Sequence, residues 1–250
     1  MNKTIIKVRG IALGDGIPKI CVPLTARSLD EMEDQLVKIC AAPCDLVELR
    51  ADYFEGDPIE ELAALRRRMP DMPVLFTFRT KEEGGERSIS PEEYANLNLR
   101  AAADLIDLEV NRGEEFVQNL CARLQQGGAK VIVSFHDFER TPGEETLIHL
   151  LCRMQSLGAD ITKAALMPRT ERDVLALLSA AVAMKEKYAD RPYIVMSMGR
   201  LGMVSRLAGH LTGSAVTFAS AGAVSAPGQM DAALVFRVLS SLSNHDENTR

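Results

Sequence analysis

The chain has 250 residues, of which 46% are hydrophobic and 26% charged, so it has enough apolar sequence to bury a large core. Its net charge of −6 disfavours nucleic-acid binding, and no stretch approaches the roughly 20 apolar residues that cross a membrane. Five scattered cysteines, an odd number, do not make a disulfide framework. We therefore expect one domain over residues 1–250, located in the cytoplasm, with no nucleic-acid or membrane partner.

Short apolar and β-branched segments alternate with longer helical patterns eight times from residue 19 onward. The predicted strands cover residues 19–24, 45–52, 73–79, 104–110, 130–137, 160–166, 192–198 and 215–220. The predicted helices have apolar residues three and four positions apart and cover residues 28–42, 58–69, 91–103, 114–126, 144–158, 171–189, 202–211 and 230–245. Eight βα units with no linker between them predict an α/β protein, a (β/α)8 TIM barrel.

A doubly wound open sheet is the alternative to a barrel. It usually has fewer strands, however, and the first predicted strand is not followed by a glycine-rich turn. Ahead of that strand, the segments TIIKV and GIALG are predicted to form a short β-hairpin that closes the bottom of the barrel.

Cys40 and Cys44 are the closest pair of cysteines in the chain. Pro43 lies between them and no histidine is nearby, so we predict structural thiols rather than metal ligands. The sequence also lacks a nucleotide-binding fingerprint. Neither a metal nor an organic cofactor is expected.

A lysine interrupts the predicted strand at residues 160–166. Lys163 shares a face with Ile161 and Ala165, so its amine would point where an apolar side chain belongs. A solvent-facing edge strand would explain this lysine, but a closed barrel has no edges. Burial disfavours the ammonium and leaves more free amine, the nucleophile that forms a Schiff base with a ketone.

Polar residues collect at the carboxyl ends of the predicted strands, where barrels of this kind carry their active sites. Glu48, Arg50 and Asp52 share one face of the second strand, and Arg79 ends the third. An ion pair between Glu48 and Arg50 is the structural alternative for those two. His136 lies near the end of the fifth strand, and a lone strand histidine is often structural. Beside a nucleophilic lysine on the next strand, it is also a candidate general acid and base.

Several segments together resemble type I 3-dehydroquinate dehydratases. In order they are PKICVPL, VELRAD, LFTFRTKEEGG, SFHDF, RMQSLGADITKAALMP, SMGRLGMVSR and SAPGQ, which run from residue 18 to residue 229. The resemblance implies a (β/α)8 barrel that acts without a cofactor, as a homodimer, on a small molecule. The implied reaction is the dehydration of 3-dehydroquinate to 3-dehydroshikimate in the shikimate pathway of chorismate and aromatic amino acid biosynthesis.

The same resemblance implies roles for individual residues. Lys163 matches the lysine that forms the Schiff base, His136 the proton-transfer histidine, and Glu83 the glutamate that supports this histidine. The residues that match substrate contacts are Glu48, Arg50, Arg79, Arg206, Ser225 and Gln229. Two positions depart from the pattern: Pro23 replaces a serine of some members, and Leu49 replaces an aromatic residue. Neither departure changes the acid–base residues.

Two rival functions remain open at this stage. A class I aldolase would use the same barrel and lysine to cleave or join carbon–carbon bonds. A non-catalytic barrel would bind a related acid as a sensor, although it would not need both Lys163 and His136. Taken alone, Arg206 also fits a solvated helix position.

Overall fold

The computed structural model describes residues 4–222 and 224–247 of the chain. Within them, a short antiparallel hairpin, β1 (Ile6–Val8) and β2 (Ile11–Leu13), precedes eight parallel strands. The parallel strands are β3 (Lys19–Leu24), β4 (Leu46–Arg50), β5 (Val74–Thr77), β6 (Leu105–Glu109), β7 (Lys130–Asp137), β8 (Ile161–Leu166), β9 (Tyr193–Ser197) and β10 (Val216–Phe218). The order around the sheet is β10-β3-β4-β5-β6-β7-β8-β9, and the predicted barrel is confirmed.

Helices connect successive strands and cover the outside of the barrel. They are α1 (Leu29–Ala41), α2 (Pro58–Arg68), α3 (Pro91–Arg100), α4 (Glu114–Gln126), α5 (Glu144–Ser156), α6 (Glu171–Ala183), α7 (Gly199–Leu207), α8 (Gly209–Thr212) and α9 (Ala232–Glu247). None of the described helices is both long and apolar enough to cross a membrane.

The barrel closes between β9 and β10 through a seam rather than a regular ladder of strand hydrogen bonds. The amide of Ala215 donates to the carbonyl of Tyr193 at 2.8 Å, just before β10 begins. The hydroxyl of Ser214 accepts from the amide of Val195 at 3.2 Å. A serine side chain therefore supplies an acceptor where a strand partner is missing, which keeps buried backbone groups paired.

The hairpin lies at the amino-terminal end of the barrel. Its side chains Ile6, Val8 and Leu13 are buried in a cluster with the first inward-facing residues of the strands, such as Leu46 and Ile132. This apolar floor confirms the predicted closure of the barrel bottom. Polar side chains that reach into the barrel can therefore meet solvent only at the opposite end.

The prediction of one helix over residues 202–211 was wrong. The structure has two, because α7 begins at Gly199 and ends at Leu207, and α8 begins at Gly209. Gly199 has a φ of 65°, which favours glycine, and its amide donates to the carbonyl of Pro227 at 3.1 Å. At Gly209 a Cβ would lie 2.2 Å from a side-chain carbon of Pro18. Tertiary contacts, rather than helix periodicity, therefore set these boundaries.

Candidate active site

The carboxyl ends of the strands send alternate side chains into the barrel, as the period of two along a strand requires. Strand β4 contributes Glu48 and Arg50, β6 contributes Asp107 and Glu109, and β7 contributes Ser134 and His136. Strand β8 contributes Lys163 and Ala165. In the register of β7 and β8, Ser134 pairs with Lys163 and His136 with Ala165, so the histidine lies two residues nearer the mouth than the lysine.

Lys163 is 3% exposed and projects into the centre of this end of the barrel. Its amine lies 3.1 Å from Oδ2 of Asp107 and 3.7 Å from Oε1 of Glu48. The ring of Phe218 faces the same amine, 4.6 Å from the ring centroid, as in a cation–π contact. These contacts correct the expectation of apolar surroundings, because two carboxylates lie within ion-pair distance.

Asp107 connects Lys163 to the neighbouring arginine. Its Oδ1 accepts from Arg79 at 2.8 Å and from the hydroxyl of Ser134 at 2.6 Å. Burial alone would raise the pKa of this carboxyl, but Arg79 and Lys163 bring it down to about 2. Asp107 is therefore an ionised buried group. Arg79 also donates to Glu109 at 3.1 Å, so it lies between two carboxylates.

Partly buried His136 and buried Glu83 form a second pair at the mouth. Glu83 lies in the 3₁₀ turn Lys81–Glu83, and its Oε2 is 3.0 Å from Nδ1 of His136. The same oxygen accepts from the backbone amide of His136 at 3.1 Å. Burial, with the positive charges of Arg79, Lys163 and Arg50, lowers the pKa of His136 well below its usual 6.5. The imidazole is therefore neutral near pH 7, as a general base requires.

The pKa of Glu83 is raised, whereas that of His136 is lowered. Burial raises it to about 8, against the opposing charge of Arg79, while Glu109 and Asp107 add to the rise. An ionised Glu83 accepts the Nδ1 hydrogen and leaves Nε2 of His136 free to take a proton. A protonated Glu83 donates to Nδ1 instead, so that Nε2 carries a hydrogen.

Glu48 and Arg50 do not pair with each other, contrary to the structural alternative. Arg50 makes a two-point ion pair with Asp52, with both N–O distances at 2.8 Å. Glu48 accepts from the hydroxyl of Thr77 at 2.9 Å. Both therefore keep an edge toward the cavity, where they are available to hydroxyl groups of a ligand.

Asp52 also holds the loop that carries Glu83. It accepts from the amides of Arg79 at 3.3 Å and Glu86 at 3.2 Å. Arg87 donates to the carbonyls of Ala51 and Asp52, each at 2.9 Å. The end of β4 and the loop after β5 are thus joined through one buried carboxylate.

Arg206 lies on α7 and is 2% exposed, which is the opposite of a solvated helix position. It donates to the carbonyls of Phe218 at 3.3 Å and Pro227 at 3.1 Å, and its Nε has no hydrogen-bond partner among the described residues. No carboxylate pairs with it within that part of the chain. Burial lowers its pKa to about 10, so it remains positive at neutral pH and can bind an anion.

Ser225 and Gln229 lie in the loop after β10, close to Arg206. The Gln229 amide donates to the Ser225 hydroxyl at 2.9 Å, and its oxygen accepts from the Ser225 backbone amide at 2.9 Å. These two polar side chains therefore hold each other at the edge of the cavity.

All nine predicted site residues line one cavity, which measures about 510 Å³ including its open mouth. Its apolar wall includes Ala165, Met196, Met198 and Phe218. Its mixed polar and apolar lining suits a small polar ligand. The geometry brings the predicted residues together, while their chemical roles stay predictions.

Asp107 is the main site residue that the sequence analysis did not identify. It lies two residues from Leu105 and from Glu109, so it shares their face of a strand. A carboxylate at an inward position of a barrel strand is the same kind of signal as Lys163. Pairing the two would have required knowing that β6 and β8 lie on either side of β7 in the barrel.

The described residues contain no cluster of side chains suited to a metal ion. Within residues 4–222 and 224–247, no group of three or more His, Cys, Asp or Glu side chains is placed to hold an ion. Cys40 is exposed, and Cys44 donates to the carbonyl of Leu46 at 3.1 Å.

Comparison with known proteins supplies the family. Residues 20–246 match the family described as Type I 3-dehydroquinase. The chain is 45% identical to a 3-dehydroquinate dehydratase of Syntrophotalea carbinolica, over 95% of this chain and 97% of that protein. A crystal structure of a type I 3-dehydroquinate dehydratase from Clostridium difficile, with covalently modified comenic acid, matches with a TM-score of 0.93 and 42% identity, over 97% of this chain and 99% of that one. A 3-dehydroquinate dehydratase structure from Geobacillus kaustophilus matches with a TM-score of 0.90 and 34% identity, over 99% of this chain and 98% of that one. The chain therefore belongs to the type I 3-dehydroquinase family.

Proposed function

We propose that this protein dehydrates 3-dehydroquinate to 3-dehydroshikimate, a hydro-lyase step of the shikimate pathway, through a Schiff base on Lys163. The family match and the names of the relatives support the reaction. One observation carries the mechanism: a buried amine and a neutral imidazole, on adjacent strands, face the same cavity as an arginine that lacks a carboxylate partner among the described residues.

In the first step Lys163 gives up a proton, its free amine adds to the ketone carbon, and loss of water with return of a proton forms a protonated imine. The protonated imine withdraws electrons from the neighbouring carbon, so that its C–H bond becomes easier to break. Asp107 and Glu48 lie within ion-pair distance of the amine and can hold the positive charge in place. The relative solved with covalently modified comenic acid agrees with a site that forms covalent adducts.

His136 then removes the proton next to the imine carbon, which gives an enamine. In its ionised form Glu83 holds the imidazole through Nδ1 and stabilises the imidazolium that forms. The imidazolium returns the proton to the departing hydroxyl group, which leaves as water. Hydrolysis of the product imine restores the free amine of Lys163. No step requires a metal or an organic cofactor.

The remaining polar residues are proposed to bind the substrate. Arg206 faces its carboxylate, since a planar guanidinium can make two charge-assisted bonds to one carboxylate. Glu48 and Arg50 contact its hydroxyl groups, together with Arg79, Ser225 and Gln229. One domain over residues 1–250, assembly as a homodimer and a cytoplasmic location stay predictions.

Borohydride trapping tests the proposal. The wild-type protein is incubated with 3-dehydroquinate and borohydride, and the intact mass is then measured and the modified peptide mapped. We expect a mass increase on Lys163 and none in Lys163→Ala, while His136→Ala should still be trapped but turn over slowly. Lys130→Ala is the matched control, because Lys130 pairs with Asp160 at the amino end of β7. A Lys163→Ala variant that is still trapped or still active would contradict the proposal, and cleavage of a carbon–carbon bond would indicate an aldolase.

A further inference from the structure

The two carboxylate oxygens of Glu83 have different partners. Oε2 faces His136, through both Nδ1 and the backbone amide. Oε1 accepts from Nδ2 of Asn111 at 3.1 Å. Within the described residues, Asn111 is the one side chain hydrogen-bonded to that oxygen. It lies in the 3₁₀ turn Val110–Arg112, directly after β6.

This contact adds to the hydrogen bonds of Oε2 in setting the orientation of the carboxylate. The last torsion of a glutamate is broad, so hydrogen bonds to both oxygens restrict it more than bonds to one. With Oε1 fixed by Asn111, Oε2 points at the imidazole. Asn111 is itself exposed, so its position does not depend on burial in the core and its replacement need not disturb the barrel.

Several other charges act on the same carboxylate. Arg79 lies 3.6 Å from Oε2 and favours the ionised form. Asp107 and Glu109 oppose ionisation, as does burial, and His136 donates its backbone amide. A hydrogen bond to the charged form adds to the effect of Arg79. The hydrogen bond from Asn111 therefore favours an ionised Glu83, as do the charge of Arg79 and the backbone amide of His136.

We propose that Asn111 is a positioning residue of the proton-transfer pair, which favours the ionised form of Glu83 and aims it at Nδ1 so that Nε2 of His136 is free to act as a base. This inference rests on the proposed function for its catalytic meaning. Removal of the amide should leave Oε1 without its donor and shift the ionisation of Glu83 to higher pH.

The first test compares the pH profile of kcat for Asn111→Leu, Asn111→Gln and the wild type. In Asn111→Leu the rising acid limb should move up by about one to two pH units, which is the effect of one lost hydrogen bond to a charged group. Asn111→Gln keeps the donor and should restore most of the shift, and KM should change little. Asn119→Leu is the matched control, since Asn119 is an exposed asparagine on α4. Acid limbs of Asn111→Leu and wild type that coincide would overturn the inference.

A second measurement does not depend on turnover. Nitrogen-15 NMR of the imidazole, assigned with His136→Ala, reports which ring nitrogen carries the hydrogen as pH changes. The midpoint of this switch should rise in Asn111→Leu by the same amount as the acid limb. An unchanged midpoint would refute the role of Asn111 even in an active enzyme. If the midpoint shifts but the protein does not dehydrate 3-dehydroquinate, the role of the hydrogen bond stands and the proposed function is rejected.

Discussion

The amine of Lys163 and the carboxylate of Asp107 lie 3.1 Å apart in the centre of the barrel, although 56 residues separate them in the chain. Through its second oxygen the same carboxylate accepts from Arg79 at 2.8 Å. One buried negative charge therefore lies between two buried positive ones, and its low pKa reflects both. Burial without such pairing would be strongly unfavourable for all three groups.

Asp107→Asn should reduce both stability and turnover. The change leaves Arg79 and Lys163 buried without their shared counter-charge, and loss of one partner of a buried pair costs about 3 kcal/mol or more. Urea denaturation measures the first effect, and borohydride trapping with kcat measures the second. Asp104→Asn is the control, because Asp104 forms ion pairs at the other end of the barrel. Equal loss of turnover in both variants would mean that Asp107 matters only for folding.

Arg206→Lys should weaken substrate binding more than it slows the chemistry. The lysine keeps the charge but loses the planar fork, so KM should rise roughly tenfold to a hundredfold while kcat stays within about threefold. Steady-state kinetics with 3-dehydroquinate separate the two constants. Arg200→Lys on the same helix is exposed and should behave as the wild type. A loss confined to kcat would assign Arg206 to the chemical step instead.

Gly85→Ala should displace the loop that carries Glu83. A Cβ at this position would lie 2.0 Å from the carbonyl oxygen of Arg79, a backbone atom that cannot rotate away. We expect a loss of about 1–3 kcal/mol of stability from overpacking. Turnover should fall as well, because Glu83 would lose its position against His136. Gly143→Ala meets no atom within 4 Å and is the control. Wild-type turnover in Gly85→Ala would show that the Glu83 loop tolerates displacement.

The carboxyl of Glu61, which does not line the cavity, should make the stability of the protein depend on pH. It lies on α2, is fully buried, and neither oxygen has a hydrogen-bond partner among the described residues. Burial and Asp52 raise its pKa from 4.5 to about 8, with Arg87 opposing. The folded state therefore holds the proton more tightly than the unfolded state. The contribution of Glu61 to the free energy of unfolding is complete below pH 4.5 and is lost as the pH rises through about 8.

Glu61→Gln removes this titration. Relative to wild type, the free energy of unfolding of the variant should increase by roughly 3–5 kcal/mol between acidic pH and pH values above the folded-state pKa. Urea denaturation across that range measures the difference. Glu60→Gln, an exposed neighbour on the same helix, should show no such trend. Parallel curves for Glu61→Gln and wild type would contradict a raised pKa.

Local patterns in the sequence were sufficient to predict the elements of the barrel. Strand β7 has the predicted limits of residues 130–137, because an apolar run between two helical patterns leaves little choice of boundaries. The same alternation placed Lys163 where an apolar side chain belongs, and the strand limits placed His136 near the end of its strand. The break at Ala208 was missed, since it depends on Pro18 and Pro227, which contact α8 and the start of α7 from distant parts of the chain.

The sequence by itself therefore determined the fold, the family resemblance and the identity of the nine candidate site residues. Only the tertiary structure decided which charge faces which: Arg50 pairs with Asp52 instead of Glu48, and Lys163 meets Asp107 instead of an apolar wall. The physical reason is that hydrophobic periodicity is a local property of the chain. The ion pair of Lys163 with Asp107 instead joins strands that are far apart in sequence. The pairing of Arg50 with Asp52, its neighbour in sequence, likewise depends on distances that only the folded chain sets.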